Sequence, residues 1–533
     1  MASSVSPLDY EHITLRFRSY LERSENRIAA LVCKQWNEIF QPAVWASHFF
    51  NNDFNAPEAY KAALRKNAAS IRTIRLRNCN SPDKIIDLFA SCTRLDALYC
   101  DLKFELPKDV TPALDLVDNN PCMQTFEIKG IPIKRMGIMA RLVQVISEHP
   151  GLKRVKYYSN DRKISEHMFI GMLQATPPCQ EEFENNWVIQ VQDEADGFDF
   201  KDEHLVLTEQ GWPTHRSLKS IVFDTTLAGY EKTVLIPFLR HCPQLRKLQP
   251  STEIPESAAK ALFHVIQDYC PKLNELRVKY QPLESVISSL ILGCHWLNIF
   301  TMDHGCTMGP AVMAALTSHS KFLTELTIES GTHIASTTIQ QVLSTCGALR
   351  DASFLEVDEE KFLNVLEIKD MVSSEWACQE SLESLDVYVG LDYGEQGQDI
   401  EVRRAMIRKA YQQLGRLTNL QWLKFGHEVI YSHNSEFLLH EDGVDFDMTV
   451  ATGMDEMKDM KALRCLQVSG MAHRMGKAEV VWINENWPSL DSIAGLWTWQ
   501  GEEIDEVADK ELYEAKQDAI DWLLEQRPEF TVW

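Results

Sequence analysis

Residues 270–302 read CPKLNELRVKYQPLESVISSLILGCHWLNIFTM, and the spacing of apolar residues in this stretch decides the fold. Leu273, Leu276 and Val278 follow the pattern L-x-x-L-x-L, whose second and third apolar positions lie on the same face of a β-strand. The pattern returns 24 residues later, beginning at Leu297. The stretch therefore predicts two strands separated by one repeat of the chain.

The same pattern recurs along most of the chain when any apolar residue is accepted at its three positions. Its first positions are Ile71, Leu95, Met123, Leu152, Leu218, Leu245, Leu273, Leu297, Leu323, Leu349, Leu382, Leu420, Leu463 and Leu490. Successive steps are 24, 28, 29 and 66 residues, then 27, 28, 24, 26 and 26, then 33, 38, 43 and 27. Most steps have the length of one strand and one helix, and the step of 66 fits a degenerate repeat plus an insertion.

Helix signals occupy the segments between these strands. Ser81 followed by Pro82 has the N-cap and first-turn residues of a helix, and Thr337 with Gln340 forms a capping box. Several helices are predicted to end at a Pro or Gly just before the next strand. These ends are Cys242-Pro243, Cys270-Pro271, His149-Pro150 and Cys346-Gly347.

The Cys-Pro-x-Leu entry to several strands resembles the ribonuclease-inhibitor-like, cysteine-containing type of leucine-rich repeat. The resemblance implies an α/β solenoid with strand–helix repeats of about 26 residues, whose stacked units share one core. A doubly wound α/β sheet also alternates strands and helices. The regular period, together with the lack of a Gly-rich first loop, favours the solenoid.

Residues 28–45, IAALVCKQWNEIFQPAVW, resemble the second half of an F-box. The family pattern there is an apolar helix ending in Leu-Val-Cys-Lys/Arg-x-Trp, then a further helix that leads to Leu/Val-Trp. The sequence predicts a single helical stripe formed by Ile28, Leu31, Val32 and Trp36. By the resemblance, the adaptor-binding residues are Pro7, Leu8, Ile13, Leu31, Val32, Cys33 and Trp36. Packing of Trp36 and Trp45 within the module is the alternative role for those two residues.

An F-box followed by leucine-rich repeats is an order common in fungal F-box proteins. The resemblance implies a non-catalytic, substrate-recognition subunit of an SCF-type cullin-RING ubiquitin ligase. Such a subunit binds a Skp-type adaptor through the F-box and a protein substrate through the solenoid. The alternative function is a leucine-rich-repeat scaffold or regulator without a role in ubiquitination. A GTPase-activating solenoid would need a positioned arginine on an early loop, and the sequence singles none out.

The predicted domain order follows from these segments. It comprises an all-helical F-box-like module at 1–50, a linker helix at 51–67, the solenoid at 68–500 with an acidic insertion near 175–215, and a capping helix at 501–533. Six of the 13 tryptophans lie in the last 52 residues. A terminal repeat needs a cap over its core, so capping is favoured over an aromatic substrate pocket.

Charge along the predicted concave face changes sign between its two halves. The first seven matched repeats place 8 basic residues beside their strand leucines, against the 4 acids Asp101, Glu127, Asp224 and Glu275. The basic residues are Arg75, Arg77, Lys129, Arg154, Lys156, Lys247, Arg277 and Lys279. The next four repeats carry Asp303, Glu325, Glu329, Asp351 and Asp386. All the basic residues but Lys247 are therefore candidate contacts for an acidic or phosphorylated substrate. A solvated face whose charges only prevent aggregation is the alternative.

Composition excludes several other classes of function. The net charge of −24 over 533 residues disfavours nucleic acid and anionic membrane as partners. The 13 cysteines form no C-x-x-C pair, which indicates reduced, buried thiols and neither a disulfide scaffold nor a metal site. No signal sequence, membrane span, cofactor motif or catalytic motif is present, so we expect a cytoplasmic or nuclear protein that is not an enzyme.

Overall fold

The computed structural model describes a large part of the chain, which divides into two compact units, Met1–Thr252 and Glu253–Trp533. The described residues are 16, 18, 20–51, 57–79, 82–102, 110–129, 136–158, 163–164, 173–174, 176, 179–185, 188–189, 214–223, 234–250, 254–279, 281–303, 306–329, 334–354, 364–390, 400–425, 448–468, 475–495 and 507–532.

The first unit opens with two helices and continues as strand–helix repeats. Its helices are α1 (Arg23–Ala29), α2 (Lys34–Ala46), α3 (Glu58–Lys66), α4 (Pro82–Asp87), α5 (Thr111–Asp118), α6 (Met136–Glu148) and α7 (Ile236–Leu239), with a 3₁₀ turn at Ala68–Ser70. Its strands are β1 (Ser47–Asn51), β2 (Thr73–Cys79), β3 (Ala97–Leu102), β4 (Thr125–Lys129), β5 (Arg154–Tyr158), β6 (Lys163–Ile164), β7 (Glu182–Asn185), β8 (Val188–Ile189), β9 (Ser220–Phe223) and β10 (Lys247–Pro250).

The second unit repeats the same alternation and ends in a longer helix. Its helices are α8 (Glu256–Tyr269), α9 (Glu284–Gly293), α10 (Pro310–Ser318), α11 (Ser336–Thr345), α12 (Ile368–Met371), α13 (Ile400–Gly415), α14 (Lys477–Asn486) and α15 (Val507–Gln526), with 3₁₀ turns at Val450–Thr452 and Met454–Met457. Its strands are β11 (Glu275–Val278), β12 (Ile299–Met302), β13 (Glu325–Ile328), β14 (Asp351–Ser353), β15 (Val365–Glu367), β16 (Ser384–Gly390), β17 (Trp422–Phe425), β18 (Cys465–Gln467), β19 (Ser492–Ala494) and β20 (Thr531–Val532).

Strands that follow one another in sequence are parallel neighbours within each unit. The first unit has the order β1-β2-β3-β4-β5-β7-β9-β10, with β6 and β8 paired separately. The second unit has the order β11-β12-β13-β14-β16-β17-β18-β19-β20, and β15 pairs with the later half of β16. This succession of parallel strands, with helices between them, confirms the predicted leucine-rich-repeat solenoid fold. Strand β7 lies between β5 and β9 and supplies the degenerate repeat of the 66-residue step.

The three apolar positions of each repeat form the core. Leu273, Leu276 and Val278 are fully buried, and the register pairs Leu276 with Phe300, the same position of the next repeat. A shift of the strand by one residue would expose Leu276 and Val278, because the side-chain period of a strand is two. The repeated apolar pattern therefore sets both the strand and its register.

A further position, three residues before the first apolar residue of the strand, is buried in most repeats. We call it the pre-strand position. It is occupied by Cys92, Asn120, His149, His215, Cys242, Cys270, Cys294, Cys346, Leu417, Met460 and Trp487, all of them buried. Burial raises the pKa of the Cys270 and Cys294 thiols to about 12. The prediction that the thiols are buried is confirmed for these cysteines, whereas Cys33 and Cys122 are exposed.

Polar residues at the pre-strand position connect one repeat to the preceding one. Asn120 Nδ2 donates to the carbonyl of Cys92 at 2.8 Å, and His149 Nε2 lies 3.0 Å from the carbonyl of Asn120. Arg527 has the same place before the last strand, and its Nη1 donates to the carbonyl of Trp487 at 3.2 Å. The bond from Asn120 satisfies the buried carbonyl of Cys92, while the carbonyls of Asn120 and Trp487, which already accept from the amides of Met123 and Leu490, gain a second donor.

The structure differs from the predicted domain limits in two places. Strand β1 lies within the segment assigned to the helical module, and it already pairs in parallel with β2. The predicted insertion near 175–215 contains β7 and β8, while 190–213 lies outside the described residues. Helix α3 falls in the segment predicted as a linker helix, and α15 falls in the segment predicted as a cap, where it packs against α14.

Candidate protein-binding surfaces

Helices α1 and α2 form a short hairpin, which local hydrogen bonds hold together. Asn26 is buried, and its Nδ2 donates to the carbonyls of Leu21 at 2.8 Å and Glu22 at 2.9 Å. Asn37 Nδ2 donates to the carbonyl of Ala30 at 2.9 Å, across the turn between the helices. Cys33 caps α2, because its Sγ accepts from the amide of Trp36 at 3.4 Å. The sequence therefore fixes a sharp turn at residues 30–33.

The turn of this hairpin exposes three aliphatic side chains, which we call the turn patch. Ile28 is 68% exposed, Leu31 84% and Val32 61%. The amides of Leu31 and Val32 donate to the carbonyls of Ile28 and Ala29, so the turn holds these side chains on the outside. Neighbouring exposed aliphatic side chains on a soluble protein are typical of a binding surface.

The predicted helical stripe from Ile28 to Trp36 is wrong, because the helix ends at Ala29 and the chain turns before α2 begins. Trp36 lies in a different environment from Leu31 and Val32. It packs against the small hairpin core that contains Ala29 and Phe40, and its ring lies 5.3 Å from that of Phe40.

The predicted adaptor-binding residues are thus only partly assembled by the structure. Leu31 and Val32 are exposed together, and the Cys33 thiol beside them is also exposed. Trp36 mainly packs the hairpin, while Pro7, Leu8 and Ile13 lie outside the described residues. Trp45 takes the packing role, since its ring lies 5.6 Å from His48 and 6.2 Å from Tyr60.

The second candidate surface is the exposed face of the strands, which we call the strand face. In the first unit the register aligns Phe49, Arg75 and Tyr99 on neighbouring strands. Phe49 is 57% exposed, and the Arg75 guanidinium lies over the Tyr99 ring at 4.6 Å. Arg75 makes no ion pair with a described residue. Arg77 lies two residues further along the same strand and is exposed.

The other basic candidates of the first unit face carboxylates of adjacent repeats or of their own strand. Arg154 Nε lies 3.2 Å from Glu182, and Lys156 Nζ lies 2.5 Å from Glu184. Burial opposes both charges of the second pair, but their mutual attraction outweighs it, so the pKa of Glu184 is lowered and that of Lys156 is raised. Lys129 Nζ lies 3.2 Å from Glu127 and over the ring of Tyr158.

The sequence count of strand-face charges missed Glu182 and Glu184, because strand β7 lacks the leucine pattern. Gln180 stands where the first leucine belongs, with Phe183 at the second position. A step of 28 residues from Leu152 to Gln180 would have found this strand. With these two acids included, the first unit is less basic on its strand face than the sequence indicated.

Arg277 and Lys279 belong to a cluster of ion pairs in the second unit. The Asp303 side chain is only 2% exposed, and Lys279 Nζ lies 3.0 Å from its Oδ2. Arg277 Nη2 lies 3.3 Å from the same oxygen and 2.7 Å from Glu329 Oε1. A buried carboxylate requires such partners to offset the cost of leaving water. These two cations therefore neutralise acids of the following repeats.

The protonation of Asp386 makes the stability of the second unit depend on pH. Burial raises its pKa to about 6, although Lys424 Nζ lies 3.5 Å away and Ser353 donates to it. Between pH 3.8, the usual value, and pH 6, the folded chain binds this proton more tightly than the unfolded chain. Stability contributed by the protonated form is therefore lost as pH rises through that window.

We expect Asp386→Asn to be more stable than the wild type at pH 7.5, by on the order of 1–2 kcal/mol, and to match it near pH 4. Chemical denaturation at several pH values measures this difference. Asp459→Asn, which removes an exposed carboxylate of the same unit, is the control and should give no such pH-dependent gain. A constant difference between Asp386→Asn and wild type at all pH values would contradict the assignment.

Comparison with known proteins finds similarity to solved structures but no match to a protein family or a curated protein. A leucine-rich-repeat protein of Leptospira interrogans is 11% identical, with 89% of this chain and 98% of that chain covered and a TM-score of 0.38. An internalin of Listeria monocytogenes is 12% identical, with coverages of 82% and 89% and a TM-score of 0.34. A chain of the yeast complex of Rad7 and Elc1 is 11% identical, with coverages of 99% and 98% and a TM-score of 0.34.

The described residues contain no group of three or more His, Cys, Asp or Glu side chains that could hold a metal ion. None of the helices in the described part of the chain combines the length and the apolar composition needed to cross a bilayer. The two candidate surfaces themselves are an aliphatic turn patch and a strand face with an arginine stacked on an aromatic ring, and both are features of protein-binding surfaces.

Proposed function

We propose that the chain is a non-catalytic, substrate-recognition subunit of an SCF-type cullin-RING ubiquitin ligase. A Skp-type adaptor would bind the α1–α2 hairpin, and a protein substrate would bind the strand face. The observation that carries the proposal is the exposure of Leu31 and Val32 within the segment that resembles an F-box. The protein fold itself supports a protein-binding role, since solenoids offer extended surfaces to partners.

The adaptor role follows from the chemistry of the turn patch. Burying an exposed Leu or Val at an interface gains about 1.5–3 kcal/mol per side chain. The hairpin exposes both side chains, and the hydrogen bond from Asn37 Nδ2 to the carbonyl of Ala30 holds the turn in place before a partner arrives. A preformed surface of this kind loses little conformational entropy on binding.

The substrate role rests on the strand face of the first unit. Phe49, Arg75 and Tyr99 combine aromatic area with a cation that has no acidic partner among the described residues. Tyr and Arg residues are enriched among the side chains that dominate binding energy. An acidic or phosphorylated substrate segment would suit Arg75 in particular, while the ion pairs of Arg154, Lys156 and Lys129 compete with such a segment.

The test is co-purification with a Skp-type adaptor expressed together with the full chain. We expect the wild type to bind and Leu31→Asp/Val32→Asp to bind about 10- to 100-fold more weakly, because two charges would enter an apolar interface. This pair is preferable to Trp36, whose removal would unpack the hairpin core.

Leu292→Asp is the matched control, because Leu292 is also exposed, at 49%, but lies on α9 of the second unit. It should leave adaptor binding unchanged. No association of the wild type, or equal loss in both variants, would contradict the adaptor role. The first of these outcomes would favour a repeat scaffold without a role in ubiquitination.

A further inference from the structure

A groove of about 600 Å³ lies in the first unit between the helical hairpin and the start of the repeats. Its described lining includes the guanidinium-bearing side chains Arg18, Arg72 and Arg94 and no carboxylate. We call it the arginine groove. In a chain of net charge −24, three arginines with no acid among the described lining residues form a local concentration of positive charge.

The three arginines retain donors that the described part of the protein does not use. Arg94 is exposed and its side chain makes no hydrogen bond or ion pair with any described residue. The Arg18 side chain makes one hydrogen bond with a described residue, from Nη1 to the carbonyl of Ile39 at 2.9 Å. All the side-chain hydrogen bonds of Arg72 to described residues come from Nη1, which donates to backbone carbonyls. Its Nε and Nη2 have no partner among the described residues.

The carbonyl bonds of Arg72 also hold its guanidinium in place. Its Nη1 lies 3.1 Å from the carbonyl of Ala69 and 2.9 Å from that of Arg94, which belong to consecutive repeats. A guanidinium fixed in this way is preorganised, so its side chain loses little further conformational entropy when an anion binds. Planar guanidinium groups form paired hydrogen bonds with phosphate oxygens.

The rest of the groove is largely apolar. Leu21, Pro42 and Ala46 are among its lining residues, and the volume is in the range that encloses a small ligand and not only a single ion. Walls of this kind suit the aliphatic neighbours of a charged group.

We propose that the arginine groove binds a peptide segment that carries a phosphorylated serine or threonine. The phosphate would take the free donors of Arg94, Arg72 and Arg18, and the flanking side chains would contact the apolar wall. The proposal is independent of the adaptor role, because neither Leu31 nor Val32 lines the groove and its test uses the protein without an adaptor.

The experiment titrates the full chain with a labelled pentapeptide, a phosphoserine flanked by leucines, and follows fluorescence anisotropy at low ionic strength. The unphosphorylated peptide and inorganic phosphate, the latter as a competitor, are the other probes. We expect binding of the phosphopeptide at least tenfold tighter than that of the unphosphorylated peptide. Inorganic phosphate should compete only at a much higher concentration.

Variants locate the binding. Arg94→Gln should weaken phosphopeptide binding about tenfold, and Arg18→Gln should weaken it similarly. Arg246→Gln is the matched control, because Arg246 is exposed, makes no side-chain bond with a described residue and lies before β10. It should change the affinity by less than about twofold. Because the Arg94 side chain makes no hydrogen bond or ion pair with a described residue, Arg94→Gln should have the same midpoint of thermal unfolding as the wild type.

Three results would overturn the proposal. The first is equal affinity for the phosphorylated and unphosphorylated peptides. The second is an equal loss in Arg94→Gln and Arg246→Gln, which would indicate non-specific attraction to positive charge. The third is competition by inorganic phosphate at the same concentration as the phosphopeptide, which would make the groove a site for a free anion.

Discussion

Asn120→Ala is expected to lower the free energy of unfolding by about 3–5 kcal/mol. Asn120 is fully buried, and its Oδ1 accepts from the amide of Leu95 at 2.8 Å. Its Nδ2 donates to the carbonyls of Cys92 at 2.8 Å and Leu116 at 2.7 Å. Alanine would leave these backbone groups buried without partners, and each such group costs about 1–3 kcal/mol.

Asn119→Ala is the control for this prediction, because Asn119 is the neighbouring residue, is exposed, and makes no side-chain hydrogen bond with a described residue. Its effect should stay within about 0.5 kcal/mol. Urea denaturation followed by circular dichroism measures both variants. If Asn120→Ala and Asn119→Ala were equally stable, the side-chain bonds between repeats would not contribute to stability.

The contrast between these two residues shows what the sequence reveals and what it leaves hidden. The leucine period locates the strands, and Asn120 precedes Met123 by the same three residues that separate Cys92 from Leu95. Helix-stop signals such as His149-Pro150 were also readable, since Pro cannot continue a helix. Which pre-strand residues reach back to the preceding repeat depends on three-dimensional neighbours about 28 residues away, so the pattern alone could not show it.

The same limit explains the strand-face charges. Arg154 and Glu182 are separated by 28 residues but become neighbours because β5 and β7 are paired. Finding that pair from the sequence requires finding β7, whose first position is a glutamine. The regular apolar positions were therefore sufficient to predict the fold class. Predicting the charges on the strand face would also have required finding the repeat of β7, whose apolar pattern is the weakest.

In the helical module, the F-box-like motif located the binding candidates along the chain, but it did not predict the backbone conformation of that segment. The run Leu31-Val32-Cys33 was found from its resemblance to the F-box pattern, and two of its three side chains prove to be exposed aliphatic groups. The continuous helix expected there fails because Cys33 acts as the N-cap of α2 and the chain turns before it. A capping cysteine is a weak signal beside the usual Ser, Thr, Asp and Asn.

Trp487→Ala is expected to lower the free energy of unfolding of the second unit by about 4 kcal/mol. Trp487 is fully buried at the pre-strand position of β19, and its ring meets that of Trp482 edge to face at 5.2 Å. Its Nε1 donates to the carbonyl of Met457 at 3.0 Å, so the variant leaves a cavity and also loses this hydrogen bond. Packing of this residue supports a structural role over a substrate pocket for at least this tryptophan.

Trp422→Ala is the matched control, because Trp422 also lies in the second unit but is 56% exposed on β17. Its loss should cost less than about 1 kcal/mol. Hydrogen exchange of α14 and β19 would locate the effect, since repeats contact mainly their neighbours and opening should begin where Trp487 is removed. Faster exchange confined to β17, or equal denaturation midpoints in the two variants, would contradict the role assigned to Trp487. The buried indole joins the last repeats through Met457, whereas Arg527 donates to the backbone carbonyl of Trp487, which alanine keeps, so the contact with Met457 should loosen first.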